Sequence, residues 1–229
     1  MKKRALFIVP LFLLLLCTTW GEAVAGGSPI RKVKEATEVL SDIIAIPERG
    51  IPPALLRNAY GIAVIPNVIK VGFVVGGRRG KGVIVIRTSN GEWSNPSFIT
   101  LTGGSVGWQI GAQSTDVILV FKGRKGVDGV RKGKFTLGAD ASVAAGPVGR
   151  HVAASTDIQL KAEIYSYSRS RGLFAGVALE GAALQIDHNA NETFYREEGV
   201  SVGVIFRSDT LQAPPAAAGF IDVLSNIQE

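Results

Sequence analysis

The sequence predicts an α+β fold in which antiparallel β-structure predominates, with an amphipathic helix at the N-terminus and short flanking helices. Three observations lead to this prediction. The 229 residues include 28 glycines and are 46% hydrophobic, and many segments are rich in Val, Ile and Thr, which is typical of strands joined by tight turns. Several segments alternate apolar and polar residues with period two. So many strands are expected to form a curved sheet, a sandwich or a partial barrel, which hides the edges.

Residues 1–25 have the architecture of a secretory signal peptide. Three cations at 2–4 precede an apolar stretch over 5–17, and Ala23-Val24-Ala25 provides a small-x-small cleavage site. The apolar stretch is too short for a comfortable membrane span. The sequence therefore predicts an exported protein, periplasmic or extracellular, in which residues 26–229 form a single domain.

Cys17 is the single cysteine of the chain. A lipobox requires a small residue directly before the cysteine, and Leu16 occupies that position, so lipid anchoring at Cys17 is not predicted. Without the signal, no cysteine remains for a disulfide or a metal site, and only two histidines are available for zinc. We expect no metal and no cofactor. Removing three cations and one carboxylate lowers the formal charge to +4 (+6 − 2 = +4), a mildly basic balance that is compatible with an anionic partner.

An amphipathic helix is predicted over residues 30–46, directly before Pro47. Its apolar residues recur at i, i+3 and i+4, the spacing of one helical face. A second, short helix is predicted in PPALLRNAYG, where proline opens the helix and Gly61 closes it. The first helix also carries three cations in its first turns, where they oppose the helix dipole. These cations are Arg31, Lys32 and Lys34.

After Gly61 the period changes to that of strands. One helical turn is expected in GVDGVRKGK, and a short terminal helix in FIDVLSNIQE. The predicted strands are IAVIP, VIKVGFVVGG, GVIVIRT, PSFITL, SVGWQIGA, TDVILVFK, KFTLGADASVAAG, ASTDIQLKAEIYSYS and LFAGVALEGAALQID.

The stretch VGFVVGGRRGKGVIVIR, from Val71 to Arg87, combines glycines with cations. A phosphate-binding P-loop requires Ser or Thr after Gly-Lys and a helix beyond it, but Gly82 follows Lys81 and a strand pattern comes next. No nucleotide is expected as a partner. The sequence instead predicts a hairpin with Arg78, Arg79 and Lys81 at its glycine-rich tip.

Other cations also lie at predicted turns. Lys122, Arg124 and Lys125 share one turn, and Arg169 and Arg171 flank another. If these turns gather with the N-terminal helix, they form a surface for an anionic membrane, where each Lys or Arg contributes on the order of 1 kcal/mol. The candidate lipid-binding residues are Arg31, Lys32, Lys34, Arg78, Arg79 and Lys81.

A hydrolase is suggested by GGSVG, which matches G-x-S-x-G with Ser105 as nucleophile. That motif requires a strained turn from a strand to a helix, whereas the residues that follow have a strand pattern. His151 or His188 as base, and Asp116 or Asp140 as its orienting group, are not selected by any spacing. The sequence therefore predicts no catalytic residue. It also lacks an RNA-recognition or helix-turn-helix signature, so no nucleic acid partner is expected.

Long blocks of the chain carry a family resemblance. They are GIAVIPNVIKVGFVVGGRRGKGVIVIR, GEWSNPSFITL, GWQIGAQSTDVILV, TLGADASVAAGPVGR and YSRSRGLFAGVALEGAALQID, the last followed by N-x-x-x-Y from Asn191 to Tyr195. In this order they resemble the SYLF domain family, the lipid-binding module also found in yeast actin-patch proteins and in animal proteins with a Src-homology-3 domain. The resemblance runs from about Arg31 to the terminal helix.

This resemblance implies a binding module, not an enzyme. Family members bind phospholipids, phosphoinositides in particular, through a basic N-terminal segment that corresponds to Ile30–Ile46, and some eukaryotic members bind or bundle actin. The leading hypothesis is an exported domain that binds anionic phospholipids and inserts the helix's apolar face, including Ile30 and Val33. The second is a structural or protein-interaction module of the envelope whose helix packs on the sheet. The third is a serine hydrolase using Ser105.

Overall fold

Two very long strands dominate the fold: β1, Gly61–Ile86, and β2, Ser97–Phe121. The computed structural model describes residues 28–46, 50–149, 161–170, 173–207 and 211–227, with the backbone alone for 72–75 and 105–112. The predicted signal peptide lies outside the described residues.

Shorter elements complete the fold. The other strands are β3 (Lys134–Thr136), β4 (Val143–Ala145), β5 (Ile164–Ser170), β6 (Leu173–Gly176) and β7 (Ala183–Ile186). The helices are α1 (Pro29–Ile44), α2 (Pro53–Arg57), α3 (Arg124–Arg131), α4 (His188–Tyr195), α5 (Val202–Ile205) and α6 (Pro215–Ser225). No helix in the described part of the chain is long and apolar enough to cross a membrane.

Strand β2 is the centre of the sheet. It pairs antiparallel with β1 from Gly61 opposite Phe121 to Ile84 opposite Ser97. On its other edge β2 pairs with β7 near its start and with β5 at its end. β3 continues the sheet beyond β7, β6 pairs antiparallel with β5, and β4 pairs parallel with β5. The result is a curled, mostly antiparallel half-barrel, which confirms the predicted fold class.

The predicted hairpin within Val71–Arg87 is wrong, because GGRRGK continues β1. Its residues stay paired with β2, from Gly76 opposite Ser105 to Gly82 opposite Ile99. The chain reverses only after Ile86, in the connection to β2. Predicted strands that seemed separate in the sequence are therefore segments of the same two strands.

The glycines allow β1 to fold back on itself. A β-carbon at Gly82 would lie 2.2 Å from the carbonyl oxygen of Val64, and one at Gly80 would lie 2.7 Å from a methyl group of Val68. A straight strand would separate Val64 and Gly82 by about 60 Å at about 3.3 Å per residue, so the strand must curl strongly. A register shift at residues 66–67 marks one site of bending, where Asn67 has a positive φ of 55°.

Helix α1 packs on the outside of this curl, against β1 and α6. Val33, Ala36, Leu40 and Ile43 are at most 1% exposed, so the predicted amphipathic face belongs to the core. The expected insertion of this face into a membrane does not fit the fold, because insertion would remove these side chains from the core. Ile30, which is 44% exposed, remains accessible.

Two other predictions are corrected by the structure. LFAGVALEGAALQID forms two short strands, β6 and β7, with a turn between them in which Gly181 has a φ of +76°. Helix α4 begins directly after β7 and was not predicted. The helical turn in GVDGVRKGK is confirmed as α3, and the terminal helix as α6, which begins earlier, at Pro215.

Candidate binding cleft

A cleft of about 610 Å³ opens where α1, β1 and α4 meet. Its walls are the first turns of α1, the bulge of β1 around Asn67, the segment Arg79–Lys81 and one side of α4. The start of β2, at Phe98 and Ile99, also lines it. We call this site the basic cleft, because it contains four cations and two carboxylates, a formal charge of +2. The cations are Arg31, Lys32, Arg79 and Lys81, and the carboxylates are Glu35 and Asp187.

The basic cleft thus brings together four of the six predicted site residues, from two segments of the chain. Lys34 is exposed but does not line the cleft. Arg78 lies on the opposite face of β1 from Arg79, because side chains alternate along a strand. Arg78 is half-buried and donates from Nε to the carbonyl of Gly104 at 3.3 Å. Burial lowers the pKa of Arg78.

Most of the cations in the cleft are already paired. Lys32 donates from Nζ to Glu35 at 2.6 Å, and Arg31 lies 3.6 Å from the same carboxylate. Lys81 lies 2.8 Å from Asp187. Arg79 is exposed and makes no ion pair within the described residues. Arg79 is therefore the cation of the cleft that is most available to an anionic partner.

The Lys81–Asp187 pair also positions α4. The other oxygen of Asp187 caps this helix by accepting from the backbone N–H of Ala190 at 3.2 Å. The salt bridge therefore connects the basic segment of β1 to the start of α4, across the mouth of the cleft. A partner that recruits Lys81 must compete with Asp187.

An ion-pair network holds α1 in place above the sheet. Arg169, on β5, contacts Asp42 on α1 at 2.5 Å and Asp116 on β2 at 3.0 Å. Asp116 also accepts from the backbone N–H of Asn67 at 3.0 Å. Burial alone would lower the pKa of Arg169, but the hydrogen bonds and charges of both carboxylates raise it. The network thus ties the bulge, the sheet and α1 together.

The family-specific N-x-x-x-Y motif has a structural role. Asn191, which is fully buried, accepts from the backbone N–H of Phe98 at 2.8 Å and donates to Ser97 at 3.2 Å. The hydroxyl of Tyr195 donates to the carbonyl of Pro96 at 2.7 Å. These bonds fix α4 to the start of β2 and so form one wall of the cleft.

The residues considered for hydrolysis occupy other environments. The backbone of Ser105 continues β2, so no turn into a helix follows it. Asp140 accepts from the backbone N–H of Thr136 at 2.6 Å, and Asp116 pairs with Arg169. His151 lies outside the described residues. The strand-to-helix context that a nucleophile elbow needs is therefore not present at Ser105.

The structure is thus a curled half-barrel with an amphipathic helix packed on it and an open basic cleft beside that helix. The family model described as "Ysc84: Las17-binding protein actin regulator" matches residues 102–227. The chain belongs to this family, and the resemblance to SYLF domains is confirmed.

Similar proteins come from yeast and from animals. The chain is 38% identical over 182 residues to Protein YSC84 of Saccharomyces cerevisiae, covering 78% of this chain and 38% of that protein. It is 35% identical over 203 residues to LAS seventeen-binding protein 3 of the same yeast, covering 85% and 44%. It is 33% identical over 204 residues to human SH3 domain-containing YSC84-like protein 1, covering 86% and 59%. The chain thus spans roughly two fifths to three fifths of the length of these relatives.

The relatives contradict the predicted location and favour a different function from the leading hypothesis. The predicted export to a periplasm or to the outside of a cell is wrong, since the relatives are eukaryotic proteins and the matching family model describes an actin regulator. Their names refer to Las17 binding or to an SH3 domain, not to an enzymatic reaction. The family therefore favours a protein-interaction role over the lipid-binding role that was the leading hypothesis.

Proposed function

We propose that the chain is a non-catalytic protein-interaction module in actin regulation, with residues 26–229 as one domain whose protein partner docks in the basic cleft. The observation that carries the proposal is the convergence of α1 and β1 cations in one open cleft, while the apolar face of α1 stays in the core. A folded helix whose exposed side is mainly polar, with Ile30 and Ile44 at its two ends as the exposed large apolar residues, suits an acidic protein surface. The Las17-binding names of the yeast relatives support a partner of the Las17 type or actin itself.

Charge reversal in the cleft tests this proposal. The variant Arg31→Glu/Arg79→Glu should weaken binding of the full chain to purified Las17 or to actin filaments by about tenfold or more, equivalent to about 1.4 kcal/mol. The fold should survive, because losing the exposed Arg31–Glu35 pair costs only a few tenths of a kcal/mol, on the order of the gain from an acidic residue in the first turn of α1. Sedimentation with filaments and a pull-down with Las17 provide the measurements.

A matched control distinguishes a loss of binding caused by the cleft from one caused by the change in net charge. Lys125→Glu/Lys132→Glu makes the same change of −4 at two exposed positions of the α3 region that do not line the cleft. At about 0.15 M salt, charges more than about 8 Å away are screened, so this control should lose less than about twofold. Equal losses in both variants would rule out the cleft as the docking site. If the wild-type chain binds neither protein, the proposed function is wrong.

A second candidate function is binding to anionic phospholipids at the same cleft. It is favoured by apolar residues beside the cations: Ile69 lines the cleft and is 52% exposed, and Val71 is 55% exposed. In this function the cations would contact headgroups while Ile69 and Ile30 entered the interface, with α1 still folded on the sheet. The contacting cations would be Arg31, Lys32, Arg79 and Lys81, since Lys34 lies outside the cleft lining and Arg78 lies on the opposite face of β1.

Vesicle sedimentation distinguishes this candidate from the first. The wild-type chain should bind vesicles of phosphatidylcholine with phosphatidylserine or a phosphoinositide, and should not bind phosphatidylcholine alone. Ile69→Ser should reduce vesicle binding and leave protein binding intact. Vesicle binding that is insensitive to both Ile69→Ser and Arg31→Glu/Arg79→Glu contradicts this second function.

A further inference from the structure

A second cleft, of about 650 Å³, lies between α3 and the connection from β1 to β2. It shares no lining residue with the basic cleft. Its cations are four arginines and no lysine, and two carboxylates accompany them, which gives a formal charge of +2. We call it the arginine cleft. The arginines are Arg87, Arg124, Arg131 and Arg207, and the carboxylates are Glu92 and Asp128.

Arg87 stabilises one wall of the arginine cleft. The guanidinium of Arg87 donates to the carbonyls of Gly91 at 2.7 Å, Arg57 at 3.3 Å and Ala59 at 3.4 Å. It also lies 4.0 Å from the centroid of the Trp93 ring. Arg87 thereby fixes the connection after β1 against the end of α2 and the start of β1, and gives the cleft a rigid side.

Two other arginines lie on one face of α3, where they are exposed. Arg124 and Arg131 are seven residues apart, which is two turns and about 10.5 Å along a helix. Arg124 lies 5.6 Å from the ring centroid of Tyr60, which is 41% exposed. Arg131 pairs with Asp128 at 3.6 Å, but both side chains are about half exposed, and such a pair is weak. The two guanidinium groups and the tyrosine ring therefore face the cleft together.

We propose that the arginine cleft binds an extended acidic peptide segment of a protein partner, with one carboxylate on Arg124 and another on Arg131. In an extended chain, residues two positions apart project to the same side and lie about 7 Å apart. The long arginine side chains can close the remaining distance, so the two carboxylates are two residues apart. Arginine suits carboxylates because its planar fork donates two parallel hydrogen bonds. The turn residues Thr88, Ser89 and Asn90 line the opposite wall and supply polar partners for the peptide backbone.

The side chains that line the cleft favour a peptide over a membrane as its partner. Among the large apolar side chains that the described residues expose, Tyr60 is the one that lines this cleft. Membrane insertion requires apolar groups that project toward the bilayer, and the most exposed of these, Leu173, Val71 and Ile69, lie outside this cleft. This inference does not depend on the proposed function, because the two clefts use different residues.

Fluorescence anisotropy with the full chain tests the inference. The probe is a fluorescein-labelled alanine-glycine peptide with two glutamates two residues apart, and its control has glutamines at the same positions. The glutamate peptide should bind and the glutamine peptide should not. Arg124→Gln/Arg131→Gln should weaken binding by about tenfold or more, whereas Arg124→Lys/Arg131→Lys should weaken it by about threefold, since lysine keeps the charge and loses the fork.

Two matched variants assign the site. Arg31→Gln/Arg79→Gln, in the basic cleft, should change binding by less than about twofold, because distant charges are screened. Lys125→Gln/Lys132→Gln removes the same charge directly beside the two arginines but outside the cleft lining, and should weaken binding by less than about threefold. Thermal melts of all variants check that they are folded. The proposal is overturned if the glutamate peptide does not bind, if all three glutamine double variants weaken binding equally, or if phosphatidylserine vesicles displace the peptide. A negative result with the peptide would not contradict the proposed function, which the Las17 and actin assays on the basic cleft test separately.

Discussion

Replacing Gly82 with alanine is predicted to destabilise the fold, because the two halves of β1 leave no room for a methyl group. The new β-carbon would lie 2.2 Å from the carbonyl oxygen of Val64 and 2.6 Å from the Cα atom of Ile65. Ordinary contacts begin at 3.4 Å, so the shortfall is 3.4 − 2.2 = 1.2 Å. Both obstructing atoms belong to the backbone of a paired strand, and no side-chain rotation relieves the overlap.

The magnitude follows from the cost of overpacking. Added methyl groups in well-packed cores typically cost about 1–3 kcal/mol, and we expect about 3 kcal/mol at Gly82, because strands must move. For a chain of this size, 1 kcal/mol corresponds to about 2–4 °C, so Gly82→Ala should lower the melting temperature by about 6–12 °C. Circular dichroism melts and urea titrations of the two proteins measure the difference.

Gly77 provides a matched control in the same glycine-rich stretch. A β-carbon there has its nearest neighbour, the carbonyl oxygen of Gly103, at 4.0 Å. Gly77→Ala should therefore leave stability unchanged or raise it by up to about 1 kcal/mol, because alanine restricts the unfolded chain. If Gly82→Ala and Gly77→Ala have the same melting temperature, the fold-back contact within β1 is refuted. If Gly77→Ala is equally harmful, these glycines are required for something other than close approach.

Three further substitutions probe how the walls of the basic cleft are held. Arg169→Met leaves Asp116, whose side chain is 16% exposed, without its cation, and should cost about 2–3 kcal/mol of unfolding free energy in urea titrations. Asp42→Asn, at a side chain that is 62% exposed, should cost less than about 1 kcal/mol. Equal costs for the two variants would contradict the network. Tyr195→Phe should cost about 1 kcal/mol near pH 7 by removing the hydrogen bond to Pro96. Burial raises the pKa of Tyr195, so its contribution is complete below about pH 10 and declines above it, as the unfolded chain ionises first. The wild-type protein should therefore lose more stability than Tyr195→Phe between about pH 9 and 11, and parallel curves would exclude this origin.

The sequence was sufficient to predict those features of the fold that depend on local periodicity. The apolar face of α1 recurs with helical spacing, as predicted, but from Val33 to Ile43 it is buried in the core, whereas the leading hypothesis had it insert into a membrane. The strand pattern likewise led to the correct fold class. The hairpin prediction failed because glycine has two meanings in a strand pattern: it marks a turn, or it marks a close approach of backbones. Nothing local to Gly80 and Gly82 distinguishes these meanings, since the obstructing atoms lie at Val64 and Ile65.

The parts of the site that the sequence did not reveal are held by contacts between distant residues. Arg169 meets Asp116 and Asp42, which are 53 and 127 residues away, and no spacing rule pairs them. Helix α4 was missed because its residues are mostly polar, although Asp187 is a strong capping residue and provided a usable signal. The cations of α1 and β1 were each identified in the sequence, but their proximity follows from the packing of α1 on β1.

The segment from Arg79 to Gly82 shows why a basic, glycine-rich stretch belongs in this strand. Its residues alternate between exposed and buried: Arg79 and Lys81 are exposed, and Gly80 and Gly82 are buried. Strand geometry sends successive side chains to opposite faces, so the cations point toward the cleft and the glycines toward the first half of β1. The glycines let the strand fold back, and the same fold-back brings the bulge at Asn67 beside Arg79 and Lys81 in the cleft wall. One four-residue segment therefore shapes the cleft with its glycines and charges it with its cations.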